Sequence, residues 1–354
     1  MANREYFSVS RDARLQLSPA ALAALVAAME FDDTTCSNLW RAYEARLFMA
    51  LSTSAITTSF QERVKLWLKV ARVSQWSKNL FVFVPLLCSP HWSVADKWIE
   101  AVKIFFIFCL GASHLYIIND YLDRDADRRH SVKRTRPIAS GAIPPQQALA
   151  GSALLGIGAV VLASHAAPGG LMLFVAYELG VLAYSLYVKQ VLLADLFMLT
   201  GFFTLRVYSG GHATGVAVSS WLLLFSVFFF LSLAILKRFT ELQWEEPGTE
   251  KGHNRRAYDH GDRVPLGVMG IASGMGAALI LALYWNSPAT EAIYQSPGWL
   301  WVLVPLFLFW ICRIWLLAFR KEVQEDAIAF AFRDPVSLGV AVLASAFILL
   351  ARFY

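Results

Sequence analysis

An acidic segment directly follows a long apolar run, and its residue types suit metal-assisted phosphate chemistry. Asn119, Asp123 and Asp127 are spaced four residues apart, so on a helix they share one face. Asp120 lies beside that face. Carboxylates this close repel one another unless a cation lies among them, and Mg²⁺ takes carboxylate oxygens together with substrate phosphates. We therefore predict a Mg²⁺ site with four ligands: Asn119, Asp120, Asp123 and Asp127. The alternative is a solvated acidic helix end whose charge is offset by neighbouring arginines.

Basic residues come next in the chain and suit phosphate groups. His130, Lys133 and Arg136 follow the acidic segment and precede Pro137. A di- or triphosphate beside a divalent cation needs such contacts to complete its neutralisation. The other interpretation is a basic anchor for anionic lipid headgroups, and the two roles are compatible.

The composition indicates which elements must position these residues. The chain has 354 residues, of which 57% are hydrophobic and 16% charged, and its mean hydropathy is +0.50. A soluble domain is about 25% charged. The apolar excess lies in long runs, which excludes an ordinary soluble enzyme, a disordered chain and a nucleic-acid-binding module despite the net charge of +5. The four cysteines lie far apart and predict neither a disulfide framework nor a zinc site.

Nine apolar runs are candidates for membrane-spanning helices, each of which needs about 20 mostly apolar residues. The first run is short and contains Pro85, so we expect it to be bent or incomplete. We expect residues 1–60 to form an accessory N-terminal segment and 61–354 to form the membrane domain. The nine runs are 79–95, 98–118, 146–165, 170–188, 191–211, 219–236, 264–285, 298–318 and 335–353.

The charge of the connecting loops predicts the orientation. Loops on one side of these runs carry 21 Lys and Arg residues, whereas those on the other side carry two. Because basic loops stay in the cytoplasm, we expect a cytoplasmic N-terminus, an outside C-terminus and an active site facing the cytoplasm, in a bacterial inner membrane. The expected fold class is all-α: a polytopic membrane protein of about nine helices that enclose a cavity open to the cytoplasmic side.

Two ionisable residues lie within one predicted span. Asp195 and Arg206 are eleven residues apart, about three helical turns, so they share a helix face. Ionisable residues inside a membrane usually mark functional sites. Asp195 is expected to join the substrate cavity, whereas Arg206 either contacts substrate or pairs with another polar group.

These motifs together resemble those of the UbiA superfamily of intramembrane prenyltransferases. The segment N-D-x-x-D-x-x-x-D at 119–127 is similar to the family's first Asp-rich motif, and Tyr184-Ser185-x-x-x-Lys189 followed by Asp195 is similar to its Y-S-x-x-x-K…D segment. Arg206 and the glycine pair at 210–211 continue the resemblance, which covers the chain from about residue 70 to its end. It implies that 61–354 is an intramembrane transferase domain with five catalytic residues: Asp120, Asp123, Asp127, Lys189 and Asp195.

One branch of the superfamily, the polyprenyl-phosphate (decaprenyl-phosphate) phosphoribosyltransferases, is the most similar. Its opening R-x-x-Q-W-x-K-N occurs at 72–79, its D-x-x-H-x-x-K-x-x-R-P at 127–137 and its K-R-x-x-E-L at 237–242. Members with aromatic acceptors usually carry a second Asp-rich motif at this last position. The branch implies Mg²⁺-dependent transfer of a 5-phosphoribosyl group from phosphoribosyl diphosphate to a lipid phosphate, with release of diphosphate. The substrate-binding residues so expected are Gln75, Lys78, Asn79, His130, Lys133, Arg136, Tyr184, Arg206, Lys237, Arg238, Glu241 and Tyr258.

Two other functions fit parts of the sequence. An aromatic prenyltransferase would use the same acidic segment but would call for a second acidic pair within 237–263, where Asp259 and Asp262 follow a long loop. A transporter or membrane scaffold would suit the many spans and the intramembrane Arg206. However, the motifs lie on one side of the membrane, whereas transport sites lie near the midplane. Either enzyme is compatible with a homo-oligomer in the membrane.

Overall fold

The computed structural model describes residues 60–129, 133–166, 169–244, 257–291, 293–323 and 326–354, apart from the side chains of 288 and 289. Residues 66–354 form one compact unit, and the predicted segment 1–60 lies almost wholly outside the described residues. Within the described ranges every regular element is helical, which confirms the predicted fold class. The eight longest helices are α1 (Ala95–Leu122), α2 (Pro145–Ser164), α3 (Gly170–Leu186), α4 (Ala194–Thr214), α5 (Ser220–Trp244), α6 (Arg263–Trp285), α7 (Leu303–Phe319) and α8 (Pro335–Phe353).

Six helical segments are long and apolar enough to cross a membrane: Ala95–Leu122, Pro145–Ser164, Ser220–Trp244, His260–Trp285, Pro297–Phe319 and Pro335–Phe353. Helix α3 is apolar but has only 17 residues, and α4 carries Asp195 and Arg206. The described residues therefore support an integral membrane protein, whereas the predicted count of nine spanning helices is not confirmed.

The first predicted span, 79–95, does not form one continuous helix, in agreement with the expectation that it is bent or incomplete. A 3₁₀ helix covers Val73–Phe83, a single α-turn covers Val84–Leu87, and turns lead into α1. An 11-residue 3₁₀ helix is unusually long, because this geometry has poorer hydrogen bonds than the α-helix. Pro85 stands near the junction and cannot donate a backbone hydrogen bond. This segment therefore enters the bundle without forming a straight helix.

Close backbone contact holds the 3₁₀ segment against α4. At Gly210, a Cβ atom would overlap the carbonyl oxygen of Val82, so only glycine fits there without movement. Val82 itself is fully buried. Small residues at helix contacts are the usual way in which membrane helices approach one another closely.

Alanine at this contact is expected to lower stability. Because backbone atoms cannot rotate away as a side chain can, Gly210→Ala should destabilise the fold by about 1–3 kcal/mol, the usual range for overpacking. Gly201→Ala on the same helix is the matched control, since nothing lies within 4 Å of its added Cβ. Thermal unfolding of the purified protein in detergent measures both variants. Equal melting temperatures for the two would contradict the close contact.

The last helix, α8, contacts residues 87–92, which precede α1, at the end of the bundle opposite the predicted site. The Arg352 guanidinium near the end of α8 donates to the carbonyl oxygens of Leu87 and Ser89. It also lies 5.4 Å from the centre of the Trp92 ring and 5.9 Å from that of Tyr294. These contacts fasten residues 87–92 to the C-terminal helix.

Candidate active site

The acidic segment forms a site at the end of α1. Asp120 lies in the last turn of α1 and Asp127 in the short helix Arg124–Arg129, and both are buried. The amide of Asp123 donates to the Asn119 carbonyl at 2.9 Å and the amide of Asp127 to that of Asp123 at 2.8 Å, so the helical spacing continues across the junction. The helical spacing of Asn119, Asp123 and Asp127 is therefore kept in the backbone.

Two of the carboxylates converge on one cation. Nη1 of Arg136 lies 3.0 Å from Oδ1 of Asp120 and 2.7 Å from Oδ2 of Asp127. The two carboxylate oxygens are thus no farther apart than the sum of these distances. Buried carboxylates need such a partner, because an isolated buried charge is very costly. The structure brings Arg136 to the acidic residues, whereas its predicted role in substrate binding stays a prediction.

A second arginine, which was not among the predicted site residues, completes this cluster. Nη2 of Arg72 lies 2.6 Å from the same Asp120 oxygen, and its guanidinium stacks 4.6 Å from the centre of the Tyr116 ring. Arg72 adopts a left-handed backbone conformation with φ of 49°. A non-glycine residue in this region is uncommon, and such strain often accompanies functional sites. The signal was available, since Arg72 opens the R-x-x-Q-W-x-K-N motif.

The donors suit Mg²⁺, although the four predicted ligands are not gathered around one point. Across the described ranges, no group of three or more His, Cys, Asp or Glu side chains is placed to hold a metal. Asn119 donates from Nδ2 to Oγ of Ser185 at 3.2 Å. However, Asp120 and Asp127 already share a cationic partner, and hard divalent cations favour such paired carboxylates. The four-ligand Mg²⁺ site stays a prediction.

A second cluster is built around Arg238, which is 1% exposed. Its Nε lies 2.7 Å from Oδ2 of Asp195, Nη1 lies 2.6 Å from Oε2 of Glu241, and Nη2 donates to the Tyr184 hydroxyl at 2.8 Å. The fork of an arginine suits three partners in one plane. Three other predicted residues, from α3, α4 and α5, therefore meet at the buried guanidinium of Arg238.

Tyr258 joins this cluster from the segment before α6. Its hydroxyl donates to Oδ1 of Asp195 at 2.5 Å and accepts from the Leu193 amide at 3.0 Å. Burial raises the pKa of Tyr258, and the hydrogen bond to Asp195 raises it further, so the hydroxyl keeps its proton and remains a donor. Leu193, immediately before α4, has a positive φ of 63°, which is uncommon for a residue other than glycine. Tyr258 thus binds both the carboxylate and the strained turn beside it.

A third cluster consists of Lys78, Lys237 and Asp326, so Lys237 belongs to a different cluster from its sequence neighbour Arg238. Nζ of Lys78 lies 2.9 Å and Nζ of Lys237 3.9 Å from the same oxygen of Asp326. Asp326 was not predicted, and it precedes the short helix Ala327–Ala331. Burial alone would raise the pKa of Asp326, but the two ammonium groups outweigh it and lower the pKa, so the carboxylate stays ionised. Lys237 therefore shares a carboxylate partner with Lys78, whereas Arg238 pairs with Asp195.

Arg206 and Asn79, both predicted to bind substrate, are partners of each other. Nε of Arg206 donates to Oδ1 of Asn79 at 2.7 Å, and Nη2 donates to the Tyr177 hydroxyl at 2.9 Å. Nδ2 of Asn79 contacts Sγ of Cys109 at 3.2 Å. The guanidinium also packs against aromatic rings, including that of Phe203 at 5.4 Å. This is the alternative in which Arg206 pairs with other polar groups inside the membrane.

The remaining predicted residues lie on the connecting segments. Gln75 belongs to the 3₁₀ helix Val73–Phe83 and is half-buried. Lys133 begins the short 3₁₀ turn Lys133–Thr135, and its carbonyl accepts from the Arg136 amide at 2.9 Å. Lys189 lies in Val188–Gln190 between α3 and α4 and is half-buried. His130 lies outside the described residues.

An apolar cavity of about 800 Å³ is lined by residues that lie two to four positions along the chain from the members of the third cluster. Helices α5, α6, α7 and α8 contribute to its wall, which includes very few polar groups. Phe81, Leu233 and Ile328 line it within a few residues of the Lys78–Lys237–Asp326 cluster, and His91 and Trp285 line it elsewhere. Such a cavity suits a long hydrocarbon chain, because burial of apolar surface there is favourable.

Comparison with known proteins identifies the family. Residues 80–336, well over half of the chain, match the sequence profile of the UbiA prenyltransferase family. The chain belongs to this family. As a UbiA-family protein it shares its fold with a UbiA homologue from Archaeoglobus fulgidus solved bound to GPP and Mg²⁺, at a TM-score of 0.59 and 14% identity over 80% of this chain and 97% of that one.

Relatives of this UbiA-family chain differ in the activity that their names state. It is 37% identical over 295 residues to the uncharacterised protein y4nM of Sinorhizobium fredii, covering 81% of this chain and 56% of that protein. It is 34% identical over 183 residues to the decaprenyl-phosphate phosphoribosyltransferase of Mycolicibacterium smegmatis, covering 51% and 58%. A shorter match, 32% over 114 residues covering 31% and 38%, is to the 4-hydroxybenzoate octaprenyltransferase of Shewanella denitrificans. The chain thus spans little more than half the length of the first two.

Proposed function

We propose that this protein transfers a 5-phosphoribosyl group from phosphoribosyl diphosphate to a polyprenyl phosphate, with release of diphosphate. The observation that carries the proposal is the pair of ammonium groups, Lys78 and Lys237, each about one helical turn from a residue that lines the apolar cavity. Cations near a hydrocarbon site suit a lipid whose headgroup is an anion. The identity to the Mycolicibacterium smegmatis enzyme supports the same choice.

The cluster of Asp120, Asp127, Arg72 and Arg136 would bind the diphosphate group of phosphoribosyl diphosphate, the donor substrate. In the proposed reaction the bond between ribose C1 and the diphosphate oxygen breaks, and its electrons leave with the diphosphate. Asp120, Asp123 and Asp127, with Asn119, would hold Mg²⁺, which neutralises the leaving group when bound. The UbiA homologue bound to GPP and Mg²⁺ supports this assignment by its shared fold. Arg72 and Arg136, which pair with these carboxylates, would bind the phosphate oxygens and complete the neutralisation.

The acceptor needs placement rather than a base. An oxygen of the lipid phosphate would form the new bond to C1, and this oxygen already carries negative charge, so no proton has to be removed. The contribution of the protein is then to hold the headgroup near C1 and to exclude water. The cluster of Asp195, Arg238, Glu241, Tyr184 and Tyr258 would fix the ends of α3, α4 and α5 between donor and acceptor. We further propose that this side faces the cytoplasm of a bacterial inner membrane, because the loops there hold 21 of the counted Lys and Arg residues against two on the other side.

A paired turnover assay in detergent with Mg²⁺ tests the proposal. One reaction contains labelled phosphoribosyl diphosphate and a polyprenyl phosphate, and the other contains a polyprenyl diphosphate and 4-hydroxybenzoate. We expect label to enter the lipid in the first reaction and no product in the second. The partial match to the Shewanella denitrificans enzyme makes aromatic prenylation the second candidate. Product in the second reaction alone would overturn the proposal in favour of that candidate.

A further inference from the structure

Asp326 has no part in the bond changes proposed above, yet it occupies the two lysines expected to meet the acceptor. Its Oδ2 lies 2.9 Å from Lys78 and 3.9 Å from Lys237. Its Oδ1 accepts from the Ile328 amide at 3.1 Å and so caps the helix Ala327–Ala331. Its side chain is 19% exposed, so the carboxylate is shielded from water but not sealed off from it.

Each of the three elements that meet here continues into the wall of the apolar cavity. Phe81 follows Lys78 on the 3₁₀ helix, Leu233 precedes Lys237 by one turn of α5, and Ile328 follows Asp326. All three of these apolar side chains line the cavity. An anion held by the two lysines would therefore have hydrocarbon surroundings for the group attached to it. This favours the phosphate of a lipid over the 5-phosphate of a ribosyl donor.

Charge decides which headgroups can take the place of the carboxylate. At this partly buried position one carboxylate faces two ammonium groups. A phosphate monoester carries about 1.5 to 2 negative charges at neutral pH. It therefore outcompetes a singly charged carboxylate for the lysines, whereas an uncharged headgroup has nothing to offer them.

We propose that the Asp326 carboxylate occupies the site of the acceptor phosphate at Lys78 and Lys237 until the lipid binds. A lipid phosphate displaces this carboxylate from the two lysines, whereas a lipid without an anionic headgroup leaves the ion pairs intact and gains nothing from the lysines. The inference rests on the proposed function, in which the acceptor is a lipid phosphate.

Binding of farnesyl phosphate and farnesol to the purified full-length protein, without donor or Mg²⁺, tests the inference. Asp326→Asn removes the competing charge but keeps a good helix cap, because asparagine caps as well as aspartate. We expect the Kd for farnesyl phosphate to fall roughly threefold to tenfold, in line with the loss of a partly exposed ion pair. The affinity for farnesol should not change. An Asp326→Asn variant that binds farnesyl phosphate no more tightly than wild type overturns the inference.

Asp334→Asn is the matched control. Asp334 caps α8 in the same way and pairs with Arg313 at 2.6 and 2.9 Å, but it contacts neither lysine. Its substitution should leave both affinities unchanged. Ribose 5-phosphate separates the two sources of phosphate: if it gains from Asp326→Asn as much as farnesyl phosphate does, the lipid assignment is wrong.

A second variant keeps the test decisive if Asp326→Asn does not fold. Lys78→Met with Lys237→Met should weaken farnesyl phosphate binding and leave farnesol binding unchanged, and an equal loss for both ligands overturns the inference. Turnover is measured separately. If the Kd shifts as expected while wild type transfers no phosphoribosyl group, displacement of Asp326 by the phosphate stands and the proposed reaction fails. If transfer occurs while the Kd does not shift, only the role of Asp326 fails.

Discussion

Asp120→Asn is expected to lower phosphoribosyl transfer by about two to three orders of magnitude, the usual cost of removing one group that stabilises developing charge. Asparagine has nearly the same shape but no charge, so it cannot balance Arg72 and Arg136 or contribute a carboxylate to Mg²⁺. The dependence on Mg²⁺ concentration should move to higher values at the same time. Transfer of label into lipid, measured over a Mg²⁺ titration, checks both effects.

The same acidic segment offers the control for this prediction. Asp125 lies on the short helix Arg124–Arg129 between the two buried carboxylates, but it is exposed and pairs with Arg124 and Arg128 at the surface. Asp125→Asn should therefore retain nearly wild-type turnover and the wild-type Mg²⁺ dependence. If both variants behave alike, the acidic segment has no part in the transfer reaction.

Arg238→Met should destabilise the protein by about 3–5 kcal/mol, because it leaves the fully buried Asp195 without its counter-charge. Two hydrogen-bond acceptors, Glu241 and the Tyr184 hydroxyl, lose their donor as well. Arg238→Lys should recover only part of the loss, since one ammonium group cannot reproduce the planar fork. Thermal unfolding in detergent compares these variants with Arg320→Met, which alters an exposed arginine just after α7.

A double variant distinguishes a lost ion pair from lost packing. Arg238→Met combined with Asp195→Leu removes both buried charges, so it should be more stable than Arg238→Met alone. Glu241 is 31% exposed and can be hydrated instead. A double variant that is no more stable than the single one would show that packing of the arginine stem, rather than its charge, holds these helices together.

Local spacing explains why much of the site could be predicted. Asn119, Asp123 and Asp127 follow the helical period, and this pattern is set by neighbouring residues rather than by the fold. Arg136 was placed near them because it is close in sequence. The family resemblance supplied Tyr184, Asp195 and other members of the second cluster, which no spacing could have brought together.

The parts that sequence could not predict depend on contacts across the chain. Asp326 lies 248 residues from Lys78, and the sequence marks it only as a single acid before a short apolar stretch. Lys237 and Arg238 are neighbours in sequence but turn to different partners, because successive residues on a helix point in directions about 100° apart. Likewise, the sequence left open whether Arg206 contacts substrate or pairs with another polar group, and the structure gives it Asn79 and Tyr177 as hydrogen-bond partners. Only tertiary packing decides such cases.

The contacts between Arg352 and residues 87–92 have a consequence for the order in which the bundle assembles during synthesis. The hydrogen bond from Arg352 to Leu87 joins residues that are 265 positions apart. It can form only after the last helix, α8, has been synthesised and inserted beside the helices made earlier. Contacts of such long range slow folding, because closing the loop costs entropy before the contact forms. A partly assembled bundle exposes apolar surface, and such species are prone to aggregate. A nascent chain that stops before α8 would thus carry every motif and still lack a closed bundle.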